Sequence, residues 1–95
     1  MITPDDACDG YVFLPDRIGV EGGMLLLDSE HGTVHIQPTG DGFNINVYPS
    51  RNAPRGKRLP GLFWASRIEN ARRVGAKMLD LIADGVNIGA YGKEK

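Results

Sequence analysis

Ninety-five residues, 41% of them apolar, make one domain with a single modest core. The one cysteine, Cys8, excludes an intrachain disulfide, no apolar run nears the ~20 residues of a membrane span, and the start MITPDDACDG lacks the basic and apolar regions of a signal peptide, so a cytoplasmic protein is expected. The net charge of −1 conceals a split, because residues 1–50 hold eight acids and one base (net −7) while residues 51–95 hold ten bases and four acids (net +6), a pattern that calls for an electrostatic partner outside the chain or within it.

In chain order, 1–23 read as an acidic arm and loop, 24–88 as a sheet-plus-helix core and 89–95 as a tail. Residues 1–10 are acidic and nearly featureless. Tyr11-Val12-Phe13-Leu14, stopped by Pro15-Asp16, is an edge strand or an extended arm. Met24 to Asp28 is apolar on both faces, as in a covered strand. Thr33 to Pro38 and Phe43 to Tyr48 both alternate around Gly40-Asp41, and a Gly-X pair fits a two-residue type II′ hairpin. With Thr39 and Gly42 closing the turn, Ile36 faces Ile45 and Val34 faces Val47 on one side. On the other side Gln37 opposes Asn44, His35 opposes Asn46, and Thr33 opposes Tyr48. A one-residue slip would destroy this sorting.

Ala53-Pro54-Arg55-Gly56 has the pattern of a type I turn. Leu62 to Ala65 is a further strand beside the hairpin. Successive strand residues face opposite ways, so of Phe63 and Trp64 one points away from the core, and the scarcity of aromatics favours both being covered, Trp64 by the Tyr11–Leu14 segment. Ser66 and Glu69 have the spacing of a capping box for a helix over 66–84. Ile68, Ala71, Gly75, Met78, Leu79 and Ile82 form its buried stripe. Gly75 lets the helix approach the sheet closely, and Gly85 suits the C′ position. Val86-Asn87-Ile88 is a short strand or extended tail. The fold class expected is α+β, an antiparallel sheet of three to five strands packed on one long C-terminal helix.

No catalytic signature is present, and no cofactor, metal or small-molecule substrate is implied. His31 and His35 lack the ligand spacing of a zinc module. Cys8 sits among Asp5, Asp6 and Asp9, a negative field that disfavours a reactive thiolate. The residues that point to a partner are the polar hairpin face and the basic segment behind it. Asn and Gln can pair with base edges, and Arg51, Arg55, Lys57 and Arg58 follow directly, where phosphates would be held. The competing reading is a solvated sheet face, with Arg72, Arg73 and Lys77 on the wet side of a helix.

The hairpin GTVHIQPTGDGFNINVY, the return strand LFWAS and the helix SRIENARRVGAKMLDLIADG together resemble the three-stranded-sheet-plus-helix DNA-binding domain of phage-type tyrosine integrases and plant ethylene-response factors. The resemblance is one of layout and spans roughly 60% of the chain, from Gly32 to about Gly89. It implies a sheet turned to DNA, with His35, Gln37, Asn44 and Asn46 at the bases and Arg51, Arg55, Lys57 and Arg58 at the phosphates. In general character the chain also resembles the small accessory proteins of phages and mobile elements, anti-CRISPR proteins among them. That likeness implies an inhibitor of a host complex whose acidic half mimics phosphates through Asp5, Asp6, Asp9, Asp16, Glu21, Asp28 and Glu30; a protein-binding regulator would also have the aromatic Trp64 or a homodimer surface to use. The expectation is a non-enzymatic binding module that contacts nucleic acid, with the protein-binding regulator as the alternative.

Overall fold

Apolar residues at every second position build the sheet, and a 3.6-residue stripe builds the helix that covers it. The computed structural model describes residues 2–15, 22–54 and 60–89. They hold a 3₁₀ turn (Pro4–Asp6), β1 (Val12–Leu14), β2 (Met24–Ser29), β3 (Gly32–Pro38), β4 (Phe43–Pro49), β5 (Gly61–Ala65) and α1 (Ile68–Ala83). All five strands form one antiparallel sheet in the order β1-β2-β3-β4-β5. α1 packs on one face of it, giving the expected α+β class.

β3 and β4 pair in the expected register, with Ile36 opposite Ile45, Val34 opposite Val47, Gln37 opposite Asn44, His35 opposite Asn46 and Thr33 opposite Tyr48. Val34, Ile36, Ile45 and Val47 are fully buried under α1. The prolines that end these strands fit without loss. Thr39 N–H donates to the Gly42 carbonyl (2.8 Å) and Ser50 N–H to the His31 carbonyl (2.9 Å), so the bonded pairs use odd residues of β3 and even residues of β4. Pro38 and Pro49 fall between them. Their missing N–H groups would point to β2 and β5, where the pairing has already stopped at Ile36 and Val47.

The hairpin turn is not type II′, because Gly40 does not adopt the positive φ which that turn requires. The Thr39 side chain replaces backbone geometry. Its Oγ1 accepts from Gly42 N–H (3.0 Å) and donates to Asp41 Oδ1 (3.2 Å), so the turn closes through a hydroxyl. The Ala53–Gly56 turn runs into residues 55–59, which lie outside the described residues.

α1 buries Ala71, Gly75, Leu79 and Ile82, with Ile68, Val74, Met78 and Leu81 packed beside them. The Ser66 capping box does not form. Arg67 is the N-cap residue, extended at φ −124°, ψ 146°, and no side chain caps the helix. The chain leaves β5 only two residues before α1, so Ser66 is spent on the turn. The C-terminus behaves as expected: Gly85 takes φ 89°, its N–H donates to the Ile82 carbonyl, and Val86 N–H donates to the Leu81 carbonyl, a Schellman closure. Val86-Asn87-Ile88 forms no strand, but Ile88 is fully buried on the helix side of the sheet, where a Cβ on Gly61 would meet its Cδ1 at 3.0 Å.

The acidic start is not featureless. Ile2 is buried, its N–H donates to the Gly22 carbonyl (3.1 Å), and β1 is a true edge strand. Tyr11 is buried under α1, its hydroxyl donating to the Arg72 carbonyl (3.0 Å), while Arg72 Nη1 donates to the Asp6 carbonyl (3.1 Å). Burial pushes the Tyr11 hydroxyl well above the usual tyrosine range; the Arg72 charge opposes this and Asp9 adds to it. A raised folded pKa means that the unfolded chain loses its proton first, so this contribution is complete below about pH 10 and fades above it. Urea midpoints measured across that range are expected to fall more steeply for the wild type than for Tyr11→Phe, which also loses about 1 kcal/mol at neutral pH with the hydrogen bond. Parallel curves would contradict the assignment.

Candidate nucleic-acid interface

Strand alternation decides which side chains leave the sheet opposite α1. From the pairings, one row across that open face runs Val12, Leu26, His35, Asn46, Leu62. Flanking it, Gln37, Asn44 and Trp64 stand toward one end, and Asp28, Thr33 and Tyr48 toward the other. Among the described residues, the large apolar side chains that remain exposed all lie here: Leu62 (59% exposed), Val12 (55%), Trp64 (50%) and Tyr48 (43%). Thr33, His35, Gln37, Asn44 and Asn46 are half-buried among their neighbours, with edges open to solvent.

Trp64 is therefore not covered by the Tyr11–Leu14 segment. β1 and β5 are opposite edges of the sheet, and the parity that sends Phe63 inward against Ile45 sends Trp64 outward beside Asn44. The indole instead lies over Gly42, where a Cβ would come within 2.5 Å of its Cζ2. Leu62 is a second outward residue that reasoning from the sequence did not single out. The signal was available, because any return strand that buries Phe63 must expose both of its neighbours.

Two ordered contacts organise the Tyr48 end. The His35 and Tyr48 rings meet edge to face at 5.3 Å between centroids, at an interplanar angle of 65°. Thr33 Oγ1 donates to Asp28 Oδ1 at 2.8 Å. Asp28 is thus the acid of the open face, and it sits on β2. Residues 42–68, which contain β4 and β5, hold five bases and no acid. Arg51 is exposed two residues past β4 and Arg67 two residues past β5. As these strands are antiparallel, the two guanidinium groups follow opposite ends of the β4–β5 surface. Arg55, Lys57 and Arg58 lie outside the described residues.

The described members of the proposed acidic set sit on different elements. Asp28 is on the open face and Glu30 in the β2–β3 turn, where its Oε2 lies 3.4 Å from His31 Nε2. Asp5 and Asp6 are in the 3₁₀ turn. Asp9 borders a shallow cleft of about 560 Å³ on the flank of α1, shared with Glu69, Arg72, Arg73, Lys77 and Asp80, in which the charges are balanced. Asp16 and Glu21 lie outside the described residues. Among the described residues no group of His, Cys, Asp or Glu could hold a metal ion, and no helix is long and apolar enough to cross a membrane.

Compared with protein-family models, with curated proteins and with solved structures, the chain gives no match in any of the three. The chemistry of the open face is left to carry the functional reading.

Proposed function

We propose that the chain is a non-enzymatic cytoplasmic binding module that holds nucleic acid on the β4–β5 half of its open sheet face. The observation that carries this reading is the coincidence of aromatic, amide and positive charge. Tyr48 and Trp64 stand exposed beside Asn44 and Asn46, inside a stretch of chain that carries bases and no acid. Amides address base edges, aromatic faces address bases, and the arginines address phosphates.

The test is a titration of labelled DNA and RNA at two salt concentrations. Binding should weaken as salt rises, with a slope of about 0.7–0.9 per phosphate neutralised. Replacing Arg51, Arg55, Lys57 and Arg58 by Ala should weaken binding to every sequence and flatten that slope. Asn44→Ala with Asn46→Ala should instead narrow the difference between sequences, each base contact being worth about 1–3 kcal/mol. No binding at low salt would end the proposal.

A second reading, a protein-binding regulator of the anti-CRISPR kind acting on a host complex or a homodimer, is favoured by one observation. Val12 and Leu62 place exposed apolar side chains at both edges of the face. Exposed aromatic and aliphatic side chains of this kind also anchor protein interfaces.

A further inference from the structure

Resting on the nucleic-acid reading, we infer that the β4–β5 surface takes single-stranded nucleic acid, with Trp64 and Tyr48 as stacking platforms and Arg51 and Arg67 at the two ends of the track. Three observations lead there. The first is width. Five strands at ~4.8 Å spacing make a face about 19 Å across, whereas the major groove is ~12 Å wide and admits a helix or a two-stranded ribbon. β3, β4 and β5 are flanked by β2 and β1 in one continuous sheet, so the face cannot enter the groove flat.

The second is chemistry. A duplex hides the faces of its bases and offers only edges and phosphates. Trp64 and Leu62, half or more exposed at the β5 edge, find only thymine methyl groups as apolar complement in a groove, whereas an unstacked base covers a whole indole face. The indole is also already positioned, held over the Gly42 backbone and flanked by Asn44. The third is spacing and charge. Trp64 stands beside Asn44, and Tyr48 lies four residues further along β4, about 14 Å at ~3.4 Å per residue. Stacked bases are ~3.4 Å apart along a strand, so a single strand that engages both rings has room for about three bases between them. Asn46 and Leu62 occupy the interval. Arg67 follows the Trp64 end and Arg51 the Tyr48 end; of the acids, Asp28 lies on β2, away from β4–β5, Asp41 lies in the β3–β4 turn with its carboxylate accepting from Thr39, and Glu30 lies in the β2–β3 turn. A polyanion laid along β4–β5 meets base, aromatic, amide, aromatic, base in that order.

Trp64 is the only tryptophan in the chain, so its emission reports the contact directly. Unlabelled single strands and the corresponding duplex are titrated into the wild-type protein, with binding followed in parallel by polarisation of a labelled strand. The expected result is quenching by the single strand, weaker binding of the duplex, and a loss of about 10- to 100-fold in affinity for Trp64→Ala, with Trp64→Phe retaining most of it. The emission experiment needs no variant, so it stands even if Trp64→Ala proves unstable. Duplex binding as tight as single-strand binding, or binding with unchanged emission, overturns this inference and leaves the nucleic-acid reading in place. Failure of every polynucleotide to bind at low salt overturns both and turns the exposed aromatics over to a protein partner.

Discussion

Gly75→Ala is expected to destabilise the fold, against the usual benefit of alanine in a helix. In an exposed helix the change would stabilise by about 1 kcal/mol. Here the new methyl would land on the Tyr11 hydroxyl and 2.8 Å from Val34 Cγ1. Val34 is fully buried in the central strand, and Tyr11 is tied to the Arg72 carbonyl, so neither yields easily. Overpacking of this kind costs about 1–3 kcal/mol, and a broken Tyr11 hydrogen bond adds about 1 kcal/mol. The net expectation is a loss of about 1–3 kcal/mol, a large share of the 5–15 kcal/mol typical of a domain. Chemical denaturation measures it. The same change in a Tyr11→Phe background should cost less, because the atom nearest the new methyl is gone. Strictly additive losses in the double-mutant cycle would show that the hydroxyl is not the obstacle.

Where one face must be buried, alternation leaves a single register, and so the β3–β4 pairing and the α1 stripe were legible in the residues. Ile36, Ile45, Val34 and Val47 can reach the core together in only one alignment. Gly75 was legible for the same reason, as a small residue within an apolar stripe. The features that were not legible depend on competition between local and distant groups. Gly40-Asp41 matches a type II′ turn by residue type, yet the Thr39 hydroxyl supplies the closing acceptor and removes the need for positive φ. Ser66 and Glu69 have capping-box spacing, but the short connection from β5 makes Arg67 the first half-helical residue. The acidic N-terminus looked unanchored because its anchors are remote: Arg72 for the Asp6 carbonyl and Gly22 for Ile2. Trp64 was misjudged by an argument from composition, that aromatics are too few to leave outside. Strand parity was the stronger constraint.

Gly42→Val should weaken binding at the open face while leaving the protein folded. A Cβ at residue 42 would sit 2.5 Å from Trp64 Cζ2, 2.8 Å from Trp64 Cε2 and 2.6 Å from the Ala65 carbonyl oxygen. The first two clashes are relieved by rotating the indole away from β4. The third is with backbone, so the Phe43–Ala65 pair that ends the β4–β5 ladder must open. Because that pair is terminal, the ladder can fray there at about 1–3 kcal/mol, the usual range for overpacking, while the buried Ile45–Phe63 and Val47–Gly61 pairs stay closed. Binding fares worse, since the indole loses the backbone that holds its plane and the platform must be ordered again on contact. A side chain held by its surroundings binds without that added cost. Affinity for a single strand is therefore expected to fall by an amount close to that of Trp64→Ala, roughly 10- to 100-fold, with helix content and the far-ultraviolet spectrum preserved. Gly40→Ala is the matched control. A Cβ there meets nothing within 4 Å, although Gly40 lies in the same turn two residues away. If Gly40→Ala and Gly42→Val weakened binding equally, the turn as a whole would be responsible, and the seating of Trp64 over Gly42 would have no part in recognition.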